Sequence, residues 1–171
     1  MMIEQILKDC DNAHQLRFVA LRYFNVTGSI EGVGLQQAGN SYVIQLLLQS
    51  AHSGAPFHIF GTDLPTPDGT FIRDYVHVRD IADAHHRALL YLQKGNQSEI
   101  LNIGTGHGWS IKQLVAAVQE ITHQKIKIII EQQRSGDPIA LIADATKAAI
   151  VLGWQPQYSN LDYCLQTMKE G

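Results

Sequence analysis

The stretch PTPDGTFIRDYVHV, residues 65–78, determines how the rest of the chain is interpreted. Its first half is rich in proline, glycine and aspartate, which is typical of a long turn-forming loop. Its second half alternates, so Phe71, Arg73, Tyr75 and His77 lie on one side of an extended segment. The stretch therefore predicts a loop that leads into a strand, and that strand carries an arginine.

Strands and helices alternate on both sides of this stretch. Nearly continuous apolar runs occur in RFVALRYFN (17–25) and EILNIG (99–104), and they indicate strands buried on both faces of a parallel sheet. FHIF (57–60) and KIKIII (125–130) predict two further strands. The alternation predicts an α/β fold.

The helix boundaries follow from capping residues and glycines. Asn40 or Ser41 is expected to cap a helix that ends before Gly54, and Asp80 to cap a helix through Gln93. Ser110 and Gln113 have the capping-box spacing. Two more helices are predicted, one between Asp144 and Gly153 and one over LDYCLQTMKE, residues 161–170.

The opening MMIEQILKDC predicts a buried helix, because Ile3, Ile6, Leu7 and Cys10 share one face. No Ser, Thr, Asp or Asn precedes this helix to cap its first N–H groups. We therefore expect a helix that starts inside a longer element.

Composition limits the function classes. A chain of 171 residues favours one domain, and a net charge of -3 with a pI near 6.2 excludes the broad basic footprint of a nucleic-acid binder. No apolar run is long enough for a membrane span, and the start does not resemble a signal peptide. Cys10 and Cys164 fit no metal or redox spacing, so the expected location is the cytoplasm.

The glycine-rich GTGHG, residues 104–108, invites a dinucleotide interpretation because it joins a strand to a helix. Its G-x-G-x-G spacing lacks the later acidic residue that would hold a ribose. A tight turn before a capped helix is the favoured interpretation.

A metal site at His77, His85 and His86 is disfavoured, because the adjacent helical residues His85 and His86 diverge by about 100° around the helix axis.

Arg73 and Arg134, the latter in the loop QQRSGD, are suited to binding phosphate oxygens. Each also has a structural alternative, an ion pair with Asp74 or with Asp137. The residues alone leave both interpretations open.

Four segments together resemble the C-terminal half of the UDP-glucose 4-epimerases, which belong to the extended short-chain dehydrogenase/reductase family. They are LRYFNVTG (21–28), HIFGTDLPTPDGTFIRDYVHVRDIADAH (58–85), LNIGTGHGWSI (101–111) and RSGDPIALIADATKA (134–148). The resemblance implies two strands of an incomplete parallel Rossmann-type sheet plus a small substrate-binding α/β domain. The Rossmann elements are expected at about 1–25 and 80–123, interleaved with UDP-sugar-binding parts at about 26–79 and 124–171.

The resemblance implies an NAD-dependent isomerase of galactose metabolism that interconverts UDP-glucose and UDP-galactose. The family's Tyr-x-x-x-Lys pair and its NAD-binding glycine motif are absent from the 171 residues, and the aligned lysine would stand immediately before Met1. We therefore expect this chain to bind a UDP-hexose and to be inactive alone. The alternatives are a non-catalytic UDP-sugar-binding module or one subunit of a split epimerase. The expected protein partner is a second copy or a complementary N-terminal half that binds NAD.

The resemblance also assigns site residues. Asn25 is expected at the diphosphate–sugar end and Phe24 on the nicotinamide side. The phosphates and the ribose are assigned to Arg73, Arg134, Ser135, Gly136 and Asp137, and the uracil edge to the backbone of His58, Ile59 and Phe60.

Two positions depart from the family pattern. Tyr42, followed by Val43, stands where many relatives have Asn or His before an apolar residue. Leu141 stands where relatives often have Tyr or Cys against the hexose, so a pocket wide enough for N-acetylated hexoses is expected unless Leu141 packs into the core.

Overall fold

The structure, a computed structural model, describes residues 2–30, 42–134 and 136–170, with side chains in the last helix as far as Met168. Helices and strands alternate along the described chain, as the sequence predicted. In chain order they are α1 (Met2–His14), β1 (Val19–Tyr23), β2 (Asn25–Thr27), α2 (Val43–Ser53), β3 (Phe57–Phe60), β4 (Ile72–His77), α3 (Val78–Gln93), β5 (Glu99–Ile103), β6 (Gly108–Ser110), α4 (Ile111–Thr122), β7 (Ile128–Glu131), β8 (Ala140–Leu141), α5 (Thr146–Leu152) and α6 (Leu161–Glu170).

The strands β1 and β5 form a parallel pair, which confirms the predicted parallel sheet elements. Leu101 and Ile103 of β5 are fully buried and pack with Trp154 and residues of α3 and α5. The expectation that β1 is buried on both faces is wrong: its last two residues are exposed, and Tyr23 is 52% exposed. An apolar run indicates that a strand is able to be buried on both faces. Burial itself also requires a neighbouring layer of structure that covers each face.

The strand β4 organises the centre of the molecule. It pairs in parallel with β2 and β8 and antiparallel with β6. Its residues from Asp74 to His77 are all buried, so both faces of the predicted strand are covered. The loop and strand predicted from residues 65–78 are therefore confirmed, and Arg73 lies between two neighbouring strands.

A second core lies around α2, α4 and α6, which pack on the parallel pair β3–β7. The capping box at the start of α4 is confirmed, because the side chains of Ser110 and Gln113 each bond to the other residue's backbone N–H. Gly54 and Gly153 end α2 and α5 as predicted. Asn40 and Ser41 lie outside the described residues. The predicted division into two interleaved domains remains a prediction.

The expectation of a buried first helix is wrong within this chain. None of the residues of α1 is buried, and Met2, Ile3 and Ile6 are 79%, 70% and 52% exposed. Of the predicted apolar face, Leu7 and Cys10 are half-buried, whereas Ile3 and Ile6 are exposed, so the described elements cover the face only in part. Among the described residues, no helix is long and apolar enough to cross a membrane.

The predicted cap of α3 is also wrong, since the helix begins at Val78 and its N-cap is His77. Nδ1 of His77 accepts a hydrogen bond from the backbone N–H of Arg79 at 3.0 Å. Asp80 instead accepts from the backbone N–H groups of Gln157 and Tyr158, both at 2.9 Å. The carboxylate therefore ties α3 to the segment before α6.

His77 is fully buried in its neutral form. Because Nδ1 is an acceptor, Nε2 carries the proton, and it lies 3.3 Å from Oγ1 of Thr167. Gly28, with φ of +79°, lies against the ring, and a Cβ there would come within 2.1 Å of Cδ2 of His77. A side chain at position 28 would therefore displace the imidazole that caps α3.

The burial of His77 predicts a loss of stability in acid. Burial lowers the pKa of His77 below 6.5, Asp80 opposes this shift, and Arg79 adds to it. The unfolded chain therefore binds the proton more readily, so the free energy of unfolding falls as pH drops below about 6.5 towards the folded pKa. Urea unfolding at pH 7.5 and at pH values down to 5 measures this loss.

The variant His77→Asn keeps a capping acceptor without a titrating ring, so its stability should depend less on pH than that of the wild type. The exposed His86→Asn is the matched control and should retain the wild-type dependence. An unchanged pH dependence in His77→Asn would show that His77 does not cause it.

Candidate functional site

A cavity of about 460 Å³ lies between β3, β4 and α2. This volume is within the usual range of small-molecule sites. Its wall combines aliphatic and aromatic side chains with a few polar groups. The lining residues are Asn25, Val43, Leu46, Phe57, His58, Ile59, Phe60, Phe71, Arg73, Tyr75, Ile111, Arg134 and Asp137.

The strand β3 borders this cavity along one edge. All four residues of β3 line the cavity, although alternate side chains of a strand point to opposite faces. The backbone N–H of Phe57 donates to the carbonyl oxygen of Lys127, just before β7, at 2.8 Å, and that of Gly61 donates to Glu131 at the end of β7 at 3.0 Å. By the alternation of a parallel ladder, the N–H and C=O groups of His58 and Phe60 point to the opposite edge, which no described strand occupies.

Two arginines reach the cavity, and each lies on an aromatic ring. The guanidinium carbon of Arg134 is 3.8 Å from the centre of the Phe60 ring, and that of Arg73 is 5.2 Å from the centre of the Phe71 ring. Arg73 also donates from Nη1 to the carbonyl oxygen of Ile72 at 2.8 Å. Both distances fall within the range of cation–π interaction.

The two ion pairs that the sequence left open are not formed in the described part of the chain. Neither Arg73 nor Arg134 takes part in an ion pair there. The carboxylate of Glu131 instead accepts a hydrogen bond from Nδ1 of His58, at 2.9 Å. The charges of both guanidinium groups are therefore not neutralised by a described carboxylate, which is what an anion site needs.

Asp74, next to Arg73, is fully buried and binds the glycine-rich turn. Its carboxylate accepts from the backbone N–H groups of Thr105 and Gly106 and from Oγ1 of Thr105. The N–H of Ala143 donates to it as well, at 3.1 Å. The turn interpretation of GTGHG is favoured, because these N–H groups already bind an internal carboxylate.

This use of the turn bears on NAD. A dinucleotide pyrophosphate needs N–H groups that point at the ligand, and here those of Thr105 and Gly106 point at Asp74. The described residues at this turn do not fit the cofactor. Phe24, half-buried directly after β1, donates its N–H to the carbonyl oxygen of Ile103, and its contact with a nicotinamide remains a prediction.

Tyr75 is the tyrosine of this cavity, and it is not suited to act as a base. Burial raises the pKa of Tyr75 to about 12, which the positive charge of Arg73 only partly opposes. A general base at neutral pH needs a pKa near the operating pH. Tyr75 therefore contributes a neutral wall to the cavity.

Most of the residues that the resemblance assigned to the substrate line this cavity. They are Asn25, Val43, His58, Ile59, Phe60, Arg73, Arg134 and Asp137. Tyr42, Gly136 and Leu141 are exposed and do not line it, and Ser135 lies outside the described residues. Contacts of all these residues with a ligand remain predictions.

The sequence interpretation missed five lining residues: Leu46, Phe57, Phe71, Tyr75 and Ile111. The alternation around Arg73 already placed Phe71 and Tyr75 on its side of the strand, and that pattern could have identified both. Leu46 and Ile111 come from separate helices, and no local pattern brings them together. Among the described residues, no group of three or more His, Cys, Asp or Glu side chains could hold a metal ion.

Comparison with known proteins gives a consistent match. Residues 1–104 match the NAD dependent epimerase/dehydratase family. The UDP-glucose 4-epimerase of Lacticaseibacillus casei is 42% identical over 170 residues, which cover 98% of this chain and 51% of that protein. The chain thus spans about half the length of the curated relatives it matches.

Solved structures agree. UDP-glucose 4-epimerase from Brucella ovis in complex with NAD matches with a TM-score of 0.93 at 36% identity, covering 99% of this chain and 53% of that one. The enzyme from Stenotrophomonas maltophila, with bound NAD and formylated UDP-arabinopyranose, matches with a TM-score of 0.90 at 33% identity, covering 99% and 52%. The C-terminal half of these folds is therefore the part that the chain resembles.

The hydrogen bonds of the Asp74 carboxylate predict that its substitution strongly lowers the stability of the fold. Asp74→Asn places an amide group against N–H donors, so we expect the free energy of unfolding to fall by about 2–4 kcal/mol. Urea unfolding of both proteins at pH 7.5 measures this difference. The control is Asp63→Asn at an exposed site, which should stay within about 0.5 kcal/mol of the wild type. Equal stability of the two variants would contradict the structural role of Asp74.

Proposed function

Since the chain belongs to the NAD dependent epimerase/dehydratase family, we propose that it forms the UDP-sugar-binding half of a UDP-hexose 4-epimerase site. The observation that carries the proposal is the cavity with two arginines whose charges no described carboxylate neutralises. The relatives over nearly the whole chain are UDP-glucose 4-epimerases. In the proposal the chain binds and orients the nucleotide sugar.

The diphosphate binds to Arg73 and Arg134 in this proposal. Guanidinium groups present N–H donors in a planar fork that matches phosphate oxygens. Both groups reach the same cavity, one from β4 and one from the loop after β7. Two positive charges on separate elements suit two adjacent phosphates better than a single carboxylate.

The nucleobase binds along the outer edge of β3. Of the outward backbone groups of His58 and Phe60, the neighbouring C=O of His58 and N–H of Phe60 supply an acceptor and a donor to the base in this proposal. Uracil presents a donor at N3 and acceptors at O2 and O4, which complements that pair. In the orientation that places N3 opposite the carbonyl of His58, cytosine presents an acceptor to an acceptor. In that orientation the edge favours uracil over cytosine.

The ribose and the hexose occupy the remaining polar positions. Asp137 offers a carboxylate to the ribose hydroxyls, and Asn25 lies at the sugar end, where its amide donates to the carbonyl oxygen of Asp74 at 3.2 Å. Leu141 pairs in register with Arg73 and is 42% exposed. An exposed leucine supports the wider hexose pocket, in which N-acetylated hexoses fit.

The ligand class agrees with what is known of a relative. The Stenotrophomonas maltophila enzyme was solved with formylated UDP-arabinopyranose, a UDP-sugar. The catalytic half of the site lies outside this sequence in our proposal, because the 171 residues contain no Tyr-x-x-x-Lys and the glycine-rich turn binds Asp74. A complementary NAD-binding half supplies the hydride acceptor and the base.

We expect the purified chain to bind UDP and to reject CDP. The mismatched hydrogen-bond pattern of cytosine at the β3 edge should lower the affinity for CDP by about 10- to 100-fold relative to UDP. Isothermal titration calorimetry with UDP, CDP and uridine measures this preference. The control Arg17→Gln changes an exposed arginine that pairs with Asp11 and does not line the cavity, so it should leave UDP affinity unchanged.

Two outcomes would count against the proposal. Absence of UDP binding to the folded chain would contradict the proposed function itself. Equal affinity for UDP and CDP would contradict the assignment of the β3 edge to the nucleobase.

We also expect the chain alone to show no turnover. With NAD and UDP-galactose supplied, no UDP-glucose should form, since the 171 residues contain no Tyr-x-x-x-Lys and burial raises the pKa of Tyr75, the tyrosine that lines the cavity, to about 12. The assay uses protein expressed in cells without an epimerase of their own, with the full-length Lacticaseibacillus casei relative as positive control. Turnover by the 171-residue chain would contradict the assignment of the chemistry to another half.

A further inference from the structure

Both cavity arginines rest on phenylalanine rings, and the closer contact defines a role for one ring. We infer that Phe60 is a positioning residue: its ring holds the guanidinium group of Arg134 over the end of β3, ready for the diphosphate. The inference rests on the proposed function, because it names how that site keeps one phosphate-binding group in place. The backbone of Phe60 is expected to contact the uracil edge, and the inference adds a separate role for its side chain.

The contact between Phe60 and Arg134 is short and is built by the chain around it. The guanidinium carbon lies 3.8 Å from the ring centre. Gly61, with φ of +85°, donates its N–H to the carbonyl oxygen of Glu131 and ends the strand. A Cβ at Gly61 would lie 3.2 Å from Cβ of Gln133. The absence of a side chain there lets the segment before Arg134 lie close to the strand end.

An aromatic ring holds a cation differently from a carboxylate. A carboxylate would neutralise Arg134 and accept its N–H groups, and a phosphate would then have to displace it. The face of a ring attracts the guanidinium group while its N–H groups remain directed outward in the plane. Phe60 therefore orders Arg134 without competing for the ligand.

The carboxylate opposite Phe60 is already engaged. Glu131 pairs with Phe60 in the β3–β7 register, but its Oε1 lies 2.9 Å from Nδ1 of His58. No ion pair joins Arg134 to Glu131 or Asp137 among the residues that the structure describes. The carboxylate of Glu131 therefore bonds to His58 and not to Arg134.

Arg73 shows the same arrangement with additional support. Its guanidinium group lies over Phe71 and also donates to the carbonyl oxygens of Ile72 and Ile139, at 2.8 Å and 3.4 Å. For Arg134, the ring of Phe60 is the contact that the described residues provide, without such a hydrogen bond. The position of Arg134 should therefore depend on Phe60 more than the position of Arg73 depends on Phe71.

If the ring of Phe60 orders Arg134 before the ligand binds, binding loses less side-chain entropy and the affinity is higher. The benefit applies to ligands that carry phosphates, since uridine offers Arg134 no anion. We expect Phe60→Leu to lower the affinity for UDP by about 2- to 10-fold and to leave the affinity for uridine unchanged. Phe60→Tyr, which keeps the ring face, should bind UDP as the wild type does.

A double-mutant cycle separates positioning from a general loss of structure. Arg134→Gln should weaken UDP, and adding Phe60→Leu to Arg134→Gln should cause no further loss. Calorimetry with UDP and uridine on all the variants measures the cycle. Unchanged UDP affinity in Phe60→Leu would overturn the inference, and so would equal losses for UDP and uridine or a further loss in the double variant.

A ligand-free measurement keeps the inference testable if the proposed function fails. In the wild-type protein, the side-chain NMR resonances of Arg134 should be shifted upfield by the ring current of Phe60. Phe60→Leu should remove this shift, and Phe60→Tyr should retain it. Resonances of Arg134 that are the same in the wild type and in Phe60→Leu would overturn the inference, whereas absence of UDP binding alone would overturn only the proposed function.

Discussion

The buried carboxylate of Asp74 is the constraint on which the rest of the structure depends. A carboxylate without water must receive several hydrogen bonds, and Asp74 receives them from segments 31 and 69 residues away in sequence. It thereby joins the strand β4, the glycine-rich turn and the segment after β8. Arg73 is its neighbour in β4, so the position of the cavity arginine follows from how Asp74 is held.

Two acidic side chains that neighbour the cavity arginines in the sheet have partners other than these arginines. Asp74 binds backbone N–H groups, and Glu131 binds His58. Because these acids are engaged, Arg73 and Arg134 lie on rings and keep their charge. The proposed preference of this site for an anion therefore rests on the distribution of these polar contacts as well as on the arginines.

The sequence predicted what depends on neighbouring residues and missed what depends on distant ones. The capping box at Ser110, the end of α2 at Gly54 and the strand over residues 72–77 follow from local patterns. The cap at His77 was missed because Asp80 is the better capping residue in isolation, and its carboxylate is used by Gln157 and Tyr158. The site residues came from the resemblance, since only a known fold brings β3, β4 and the loop at 134–137 together.

The two ends of the proposed ligand differ in how far this chain encloses them. In the proposal the nucleotide end lies against β3, of which Phe57 and Ile59 belong to the buried core, whereas Asn25 and Leu141, assigned to the sugar end, are exposed. Epimerisation needs the sugar to turn between two faces of a hydride carrier, and binding energy from the distant nucleotide can hold the substrate meanwhile. A chain that binds UDP against its core and leaves the hexose exposed, as proposed, would be suited to present that sugar to a second, NAD-binding half.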